Sequence, residues 1–533
     1  MLSKIDLKIG WALPGSIGLL VLAFHLTTFG VHPAMNGDDY VAYIANAQSL
    51  IAPGPYGMPH YLINPDYANG ADLGQAAYPI GFPLLLAPIV WFAGSNLALL
   101  FTAAGLLSCV LLALFAGAFS RLAQREISPR AGLVAGLVAG FTPYLFDPGA
   151  FLAPSEGGFL FVLVLALMID ARFARTGRAG DAVWSGIAAG IAGMLRVVGV
   201  LLVPAIVFAD LIRRRRITRG LLIVGAVGTV LTALGLLAMG QDYLARNAAI
   251  FGGGPHPQVT AAAADRLMPK LLHNLAALPG NLSVFWDYGW GATQAPGPWL
   301  HRAIQAISLL VLIGAGIGFV HRARGKLGAT ELFVILQTLM LLMLPQQQQS
   351  PRYYLPVSIL VLFYLLAGAE FGRVARGRRF AAATLAIFAI MATSWPDALA
   401  VRADNARFNL LAPPATEMAA WIRANTPADV VILTHRPRSL VLLTNRTSSD
   451  FTSAKIDDRL RALVHATHAR LLIASIDHPP LRDRAIKLGF GRSDAALNRA
   501  LDTWEAEFFA GSGAAPRLEF RNSWYRIYRI DGL

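Results

Sequence analysis

Apolar residues in this chain come in long unbroken blocks separated by short polar, mostly basic, stretches. The blocks run at about Ile9–Gly30, Ser95–Phe119, Ala131–Leu145, Glu156–Ala171, Ala182–Leu211, Ile217–Met239, Ala303–Val320, Ala329–Leu344, Tyr353–Gly368 and Phe380–Trp395. Blocks of this length and apolarity predict helices that cross a bilayer. The block at Ala182–Leu211 has basic residues at both ends, Arg172, Arg175 and Arg178 before it and Arg213 to Arg216 after it. Both ends should therefore face the same side, and the block must cross an even number of times. Two crossings leave each only about 15 residues for a hydrocarbon layer of ~30 Å. The prediction is two short helices that turn near Arg196 where backbone at membrane depth is covered by protein or lines a cavity. The count is then about 11 transmembrane helices.

Charge gives the orientation. Arg121, Arg125 and Arg130, the two groups above, His321 to Lys326, and Arg373, Arg376, Arg378 and Arg379 alternate with loops that lack this excess. The positive-inside rule puts the basic loops and the N-terminus in the cytoplasm. Two long segments then lie outside, residues 31–94 and 240–302. Between Ile9 and Ser120 there is no Lys or Arg at all. Within the first segment, Ile80–Gly94 is short and contains Pro83 and Pro88, which predicts a helix lying in the interface. The first apolar block follows Lys4 and Lys8 and has no A-x-A-like site after it, which reads as a retained anchor.

Beyond residue 398 the pattern changes. Val430–Leu433, Leu440–Leu443, Leu471–Ile476 and Tyr525–Ile530 read as strands, and Glu417–Asn425 and Asp457–His468 as helices. The expected organisation is a transmembrane module over 1–398 and an extracytoplasmic α/β domain over 399–533. The fold class is thus a polytopic α-helical membrane protein with a C-terminal α/β domain.

Composition agrees: 55% of the 533 residues are hydrophobic and 14% charged, where a soluble chain carries about a quarter. A formal charge of +14 would suit nucleic acid, but much of the excess sits in loops beside apolar blocks, so no nucleic-acid partner is expected. The single cysteine, Cys109, excludes an intrachain disulfide.

The chemistry-bearing stretch is Asn36-Gly37-Asp38-Asp39-Tyr40, in the cation-free first loop with Asp66 and Asp72. Asn36 followed three residues on by Asp39 matches a capping-box arrangement, and acids in a first turn complement the helix dipole. Asp38 or Asp39 can also serve as a general base near the membrane surface, with Tyr43 one turn away on the same face. Glu156, after Pro154-Ser155, is either a helix-starting acid or a group facing an interior cavity. Arg196 is either half of a structural ion pair or a phosphate ligand. Arg352, beside Tyr353 and Tyr354, is either an interfacial anchor or a phosphate fork. Arg246, Arg266 and Lys270 in the second external segment are further candidates for a phosphate. Gly252 to Gly254 lacks the strand and helix context of a nucleotide fingerprint. His32 and His60 with Asp38 or Asp39 have no spacing that favours a metal. No cofactor is firmly implied, and a divalent metal stays open.

The order of these motifs carries a resemblance. The acidic pair is followed by Tyr78-Pro79-Ile80-Gly81-Phe82-Pro83, then Pro154-Ser155-Glu156, Leu195-Arg196-Val197-Val198-Gly199 and Arg352-Tyr353-Tyr354-Leu355-Pro356. Together with Trp421-Ile422-Arg423-Ala424-Asn425-Thr426-Pro427 ahead of a β-rich stretch, the chain resembles the GT-C membrane glycosyltransferases. Within them it resembles the bacterial relatives of protein O-mannosyltransferases and aminoarabinose transferases. The resemblance implies a polyprenyl-phosphate-linked sugar donor, a glycan, lipid or protein acceptor, and inverting transfer outside the bacterial inner membrane. It also implies that Asp38 occupies the catalytic acidic position, with Asp39 beside it. Some relatives set a basic residue of the first loop against the donor phosphate. This loop has none, so the role falls to Arg352, Arg196 or the second loop. A carrier or flippase is the alternative from another class, but the internal repeats usual in carriers are not evident here. A polysaccharide ligase or polymerase shares the lipid donor.

Overall fold

The computed structural model describes residues 2–33, 38–51, 61–62, 78–146, 154–238, 267–283, 298–325, 327–343, 351–370, 376–449, 451, 456–475, 494–510 and 517–530. The described chain forms two compact units. One comprises Met1–Phe29, Pro79–Leu85 and Thr102–Ala403; the other comprises Gly30–Tyr78, Leu86–Phe101 and Asp404–Leu533.

The first unit is helical. Its helices are α1 (Leu2–Thr27), the start of α3 (Gly81–Ala93), most of α4 (Leu97–Glu126), α5 (Pro129–Gly140), α6 (Pro154–Thr176), α7 (Ala179–Leu195), α8 (Leu202–Arg214), α9 (Arg219–Ala238), α10 (Leu267–Leu282), α11 (Pro298–Gly325), α12 (Ala329–Met343), α13 (Pro351–Glu370) and most of α14 (Arg376–Arg407). Every predicted crossing segment is a helix, and the Ala182–Leu211 block is two. Among the described residues, seven helices hold stretches long and apolar enough to cross a membrane: Gly10–Thr27, Leu97–Glu126, Ser155–Thr176, Arg219–Ala238, Arg302–Gly325, Arg352–Glu370 and Gly377–Arg407. The remaining predicted crossings, α5, α7, α8 and α12, are shorter, with 12, 17, 13 and 15 residues. The chain is a polytopic helical membrane protein.

Helix packing in this unit follows lipid-phase rules. Lipid tails are as apolar as Leu, so close backbone approach through small residues replaces the hydrophobic drive. Helices α7 and α9 meet through Gly186 and Gly190, where an added Cβ would press on the facing helix, and one on Gly228 of α9 would press on Val203 of α8. Some of the polar groups at depth are paired. Glu331 of α12, 2% exposed, accepts from Arg322 of α11 at 3.2 Å and from the Tyr364 hydroxyl of α13 at 3.2 Å.

The second unit holds α2 (Asp38–Ile51), β1 (Tyr61–Leu62), the end of α3, and the C-terminal α/β region. That region comprises α15 (Pro413–Asn425), β2 (Val431–Leu433), α16 (Pro437–Thr444), β3 (Thr447–Ser449), α17 (Asp458–Thr467), β4 (Leu471–Ser475), α18 (Asp494–Phe508), β5 (Arg517–Arg521) and β6 (Tyr525–Arg529). The six strands form one sheet in the order β1-β3-β2-β4-β6-β5. Strands β1, β3, β2 and β4 run parallel, and β6 is antiparallel to β4 and β5. Leu433, Phe451, Leu460, Leu472, Trp504, Phe508 and Tyr528 fill its core. Helix starts follow the sequence: Asp457 caps α17 by accepting from the Leu460 amide at 2.9 Å.

The expected strand at Leu440–Leu443 is instead helix α16. A four-residue apolar run fits a buried helix as well as a strand. The flanks decide it. Pro437 sits in the first turn with φ already suited to a helix, and Asn445 ends it in the left-handed region at φ 53°. The strand lies just beyond, in polar Thr447–Ser449, with Ser448 and Ser449 fully buried.

Candidate functional site

Asp38 and Asp39 are the first two residues of helix α2, so the acidic pair stands at the positive end of a helix dipole. Their side chains, and the proposed Asn36 cap, lie outside the described residues. One turn on, Tyr43 is buried, 6% exposed, and its ring meets that of Tyr78 at 4.9 Å between centroids with a 60° tilt. The Tyr78 hydroxyl accepts from Arg438 Nη1 at 2.6 Å, and the same guanidinium lies 5.4 Å from the Tyr78 ring centre. Arg438 belongs to α16, which packs on α2. The first loop is tied to the C-terminal region a second time, because Tyr61 and Leu62 pair with Ser448 and Ser449. The loop's helix and edge strand are therefore parts of the second unit's own fold.

In the first unit, Glu156 lies in the first turn of α6 and is 7% exposed. It is ion-paired with Arg196, whose Nη1 also donates to Ser155 Oγ at 3.3 Å; Ser155 in turn donates to Glu156 Oε2 at 2.8 Å. The two side chains of the pair are 11% and 9% exposed. Arg196 occupies the predicted turn. Helix α7 ends at Leu195, Arg196 is extended at φ −149° and ψ 140°, and a 3₁₀ turn at Val197–Leu201 leads into α8. Glycines let the chain pass here. A Cβ on Gly199 would overlap the Ala192 carbonyl, and one on Gly81 would sit 2.7 Å from the Met194 carbonyl. Both motifs quoted in the sequence, Gly81 of Tyr-Pro-Ile-Gly-Phe-Pro and Gly199 of Leu-Arg-Val-Val-Gly, thus shape the bend that presents Arg196.

Arg352 lies at the start of α13, with its guanidinium 5.3 Å from the Tyr353 ring centre. Gln337 of α12 donates to the Tyr353 carbonyl at 3.0 Å and fixes that helix start. Tyr354 is fully buried, so it is a core residue rather than an interfacial anchor. Lys270 is on α10, which packs against α12 and α13; Asn274 of the same helix donates to the Leu342 carbonyl at 2.8 Å. Arg246, Arg266, His60, Asp66 and Asp72 lie outside the described residues. Among the described residues no three His, Cys, Asp or Glu side chains gather as a metal site.

Sequence reading missed the role of Arg438. Its partner Tyr78 was already part of a quoted motif, but nothing local links the two positions. The partnership of Glu156 with Arg196 was equally hidden, though a buried acid and a buried base invite such a match.

No protein-family model matches the sequence, and no curated protein does. Solved structures do. ArnT from Cupriavidus metallidurans in the apo state aligns over 98% of this chain and 98% of its own, with a TM-score of 0.53 at 12% identity. The Archaeoglobus fulgidus oligosaccharyltransferase tethered with an acceptor peptide aligns over 87% of this chain and 69% of its own, with a TM-score of 0.52 at 13% identity. The same enzyme in complex with Zn and sulfate aligns with a TM-score of 0.54 at 12% identity over 86% and 68%. The chain has the GT-C fold.

Proposed function

We propose that this chain is an integral-membrane glycosyltransferase that moves a sugar from a polyprenyl-phosphate donor to an acceptor hydroxyl on the extracytoplasmic face. The observation that carries the reading is the acidic pair at the start of α2, in a loop without a single cation, on a chain whose fold matches ArnT along its whole length.

Asp38 is the proposed base, with Asp39 holding the helix start. The acceptor oxygen attacks the anomeric carbon from the face opposite the phosphate, and its proton passes to Asp38. The bond from the anomeric carbon to the phosphate oxygen breaks, and its electron pair leaves on the lipid phosphate. One displacement inverts the anomeric centre. The leaving group is already anionic, so it needs charge stabilisation more than a proton. Arg196 and Arg352 are the principal candidates for that charge, with Arg246 and Lys270 behind them. Arg offers a planar fork that grips two phosphate oxygens at once. Glu156 and Ser155 hold Arg196 in one orientation, and Tyr353 does the same for Arg352. Tyr43 supports the helix that carries the base.

The test is transfer from a synthetic polyprenyl-phosphate sugar by the purified chain in detergent. Asp38→Asn should bind the donor and lose transfer by about 10²-fold or more. Transport of the donor across proteoliposomes without transfer would favour the carrier reading instead.

A further inference from the structure

Four helices of the first unit bring their ends together around Arg214 of α8. Its guanidinium lies 5.6 Å from the ring centre of Phe173 on α6, and a Cβ on Gly177, in the α6–α7 turn, would sit 3.6 Å from its nitrogens. A Cβ on Gly220, in the first turn of α9, would sit 2.7 Å from the Phe173 ring and 3.8 Å from Ala182 of α7. Thr218, just ahead of α9, donates to Asp210 of α8 at 3.4 Å. The two basic runs of the sequence, within 172–178 and 213–219, therefore meet at one end of the bundle.

The acids at that end are already taken. Asp210, fully buried, pairs with Arg214 at 2.7 Å and with Arg213 at 3.7 Å. Asp181 pairs with Arg172 at 2.9 Å, and Glu126 with Arg175 at 3.8 Å. Arg178, Arg215, Arg216 and Arg219 are exposed, and among the described residues none of the four has an ion-pair partner. Like charges gathered this way repel one another unless an anion accompanies them. Arg215 also ends α8 in the left-handed region at φ 51°, where a Cβ is strained and glycine is the usual residue. The chain holds a guanidinium at a position that favours glycine.

Apolar side chains flank these arginines. Ile212 in the last turn of α8, Ile217 between α8 and α9, Leu222 in the first turn of α9 and Trp184 of α7 are all at least half exposed. Free guanidiniums beside exposed apolar side chains match an amphiphile, with its anionic head on the arginines and its tails along the helices. Basic pockets between transmembrane helices take phosphorylated head groups in this way. A nucleic acid would match the charge and leave the apolar side chains in water.

We infer that this end of the bundle is a binding site for an anionic phospholipid. Arg178, Arg215, Arg216 and Arg219 receive the head-group phosphate, for which the guanidinium fork is suited. The acyl chains lie against Ile212, Leu222 and Trp184. The site is at the opposite ends of α6 and α7 from Glu156 and Arg196, and it does not depend on the proposed sugar transfer.

Full-length protein in neutral detergent micelles is titrated with phosphatidylglycerol brominated on its acyl chains, and separately with the matching phosphatidylcholine. Bromine quenches tryptophan on contact, so comparing each protein with its Trp184→Phe counterpart isolates the Trp184 signal. Half-quenching of Trp184 is expected at about a tenfold lower mole fraction of phosphatidylglycerol than of phosphatidylcholine. Arg216→Gln alone should weaken phosphatidylglycerol binding about fivefold, and Gln at Arg215, Arg216 and Arg219 together should abolish the preference. Thermal unfolding in phosphatidylcholine confirms that each variant is folded, and Arg216→Gln decides the matter should the triple variant fail to fold. Equal quenching by the two lipids in the wild type would assign the arginines to a soluble acidic partner and overturn the proposal. An undiminished phosphatidylglycerol preference in the arginine variants overturns it as well.

Discussion

Arg196 and Glu156 form an ion pair that joins the bend between α7 and α8 to the first turn of α6, with Ser155 bridging them. Both side chains are about nine-tenths buried, so each is costly without the other. Replacing Arg196 by Met leaves a buried carboxylate alone and should cost about 3–5 kcal/mol. Glu156→Gln added to Arg196→Met should recover a substantial part of that loss. Thermal unfolding of both variants in detergent tests the coupling, and equal loss in the single and double variants would contradict it. The proposed donor role adds a second readout: Arg196→Lys keeps the charge but loses the fork, so donor affinity should fall while the fold is kept.

Gly199 has no room for a side chain, because a Cβ would meet the Ala192 carbonyl across the bend. Gly199→Ala should therefore destabilise by about 1–3 kcal/mol and shift Arg196 away from Ser155. Gly225 on α9, where an added Cβ would make only ordinary contact, is the control. An unchanged melting midpoint in Gly199→Ala would show that the bend relaxes freely.

The Tyr78 hydroxyl and Arg438 tie the first loop to α16. Tyr78→Phe keeps the ring over the guanidinium and removes only the charge-assisted hydrogen bond, worth about 1.5 kcal/mol at a part-buried site. Protease or hydrogen-exchange protection of residues 38–51 should fall about tenfold, while α6 and α7 are unaffected. Equal protection in the variant would show that β1 pairing alone holds the loop.

In the C-terminal region Arg526 is fully buried and paired with Asp502 and Glu505. Its carboxylates are partly exposed, at 52% and 34%, and can rehydrate. Arg526→Met should thus cost about 2 kcal/mol, less than for a pair buried on both sides. Beside it, burial raises the Tyr528 phenol above its ordinary value of 10.0. The folded phenol then keeps its proton where the unfolded one has lost it. Its stabilising contribution is complete below pH about 10 and declines as pH rises beyond that. Thermal scans between pH 9 and about 11 should show this decline, and Tyr528→Phe should remove it.

The transmembrane scaffold was legible because apolar blocks and basic loops report the bilayer directly. Even the short pair around Arg196 followed from charge parity at its two ends, and the structure puts the break between helices at that residue. The C-terminal sheet was harder. Val431–Leu433 and Leu471–Ser475 announce themselves by β-branched or apolar runs, whereas Thr447–Ser449 is polar and Tyr61–Leu62 has only two residues. Strand β1 exists through pairing with a segment far along the chain, for which no local pattern exists. The same holds for Arg438 and Tyr78. In the candidate site each residue's type suggested its chemistry, but its partner came only with the fold.

The central claim is that Asp38 is the base of a sugar transfer. Purified wild-type protein, given a polyprenyl-phosphate sugar and an acceptor mixture from the cell envelope, should release polyprenyl phosphate as the sugar appears on acceptor. Asp38→Asn should bind the donor with unchanged affinity and lose transfer by about 10²-fold or more, as expected for removal of a general base. Transfer by Asp38→Asn at the wild-type rate would contradict the account.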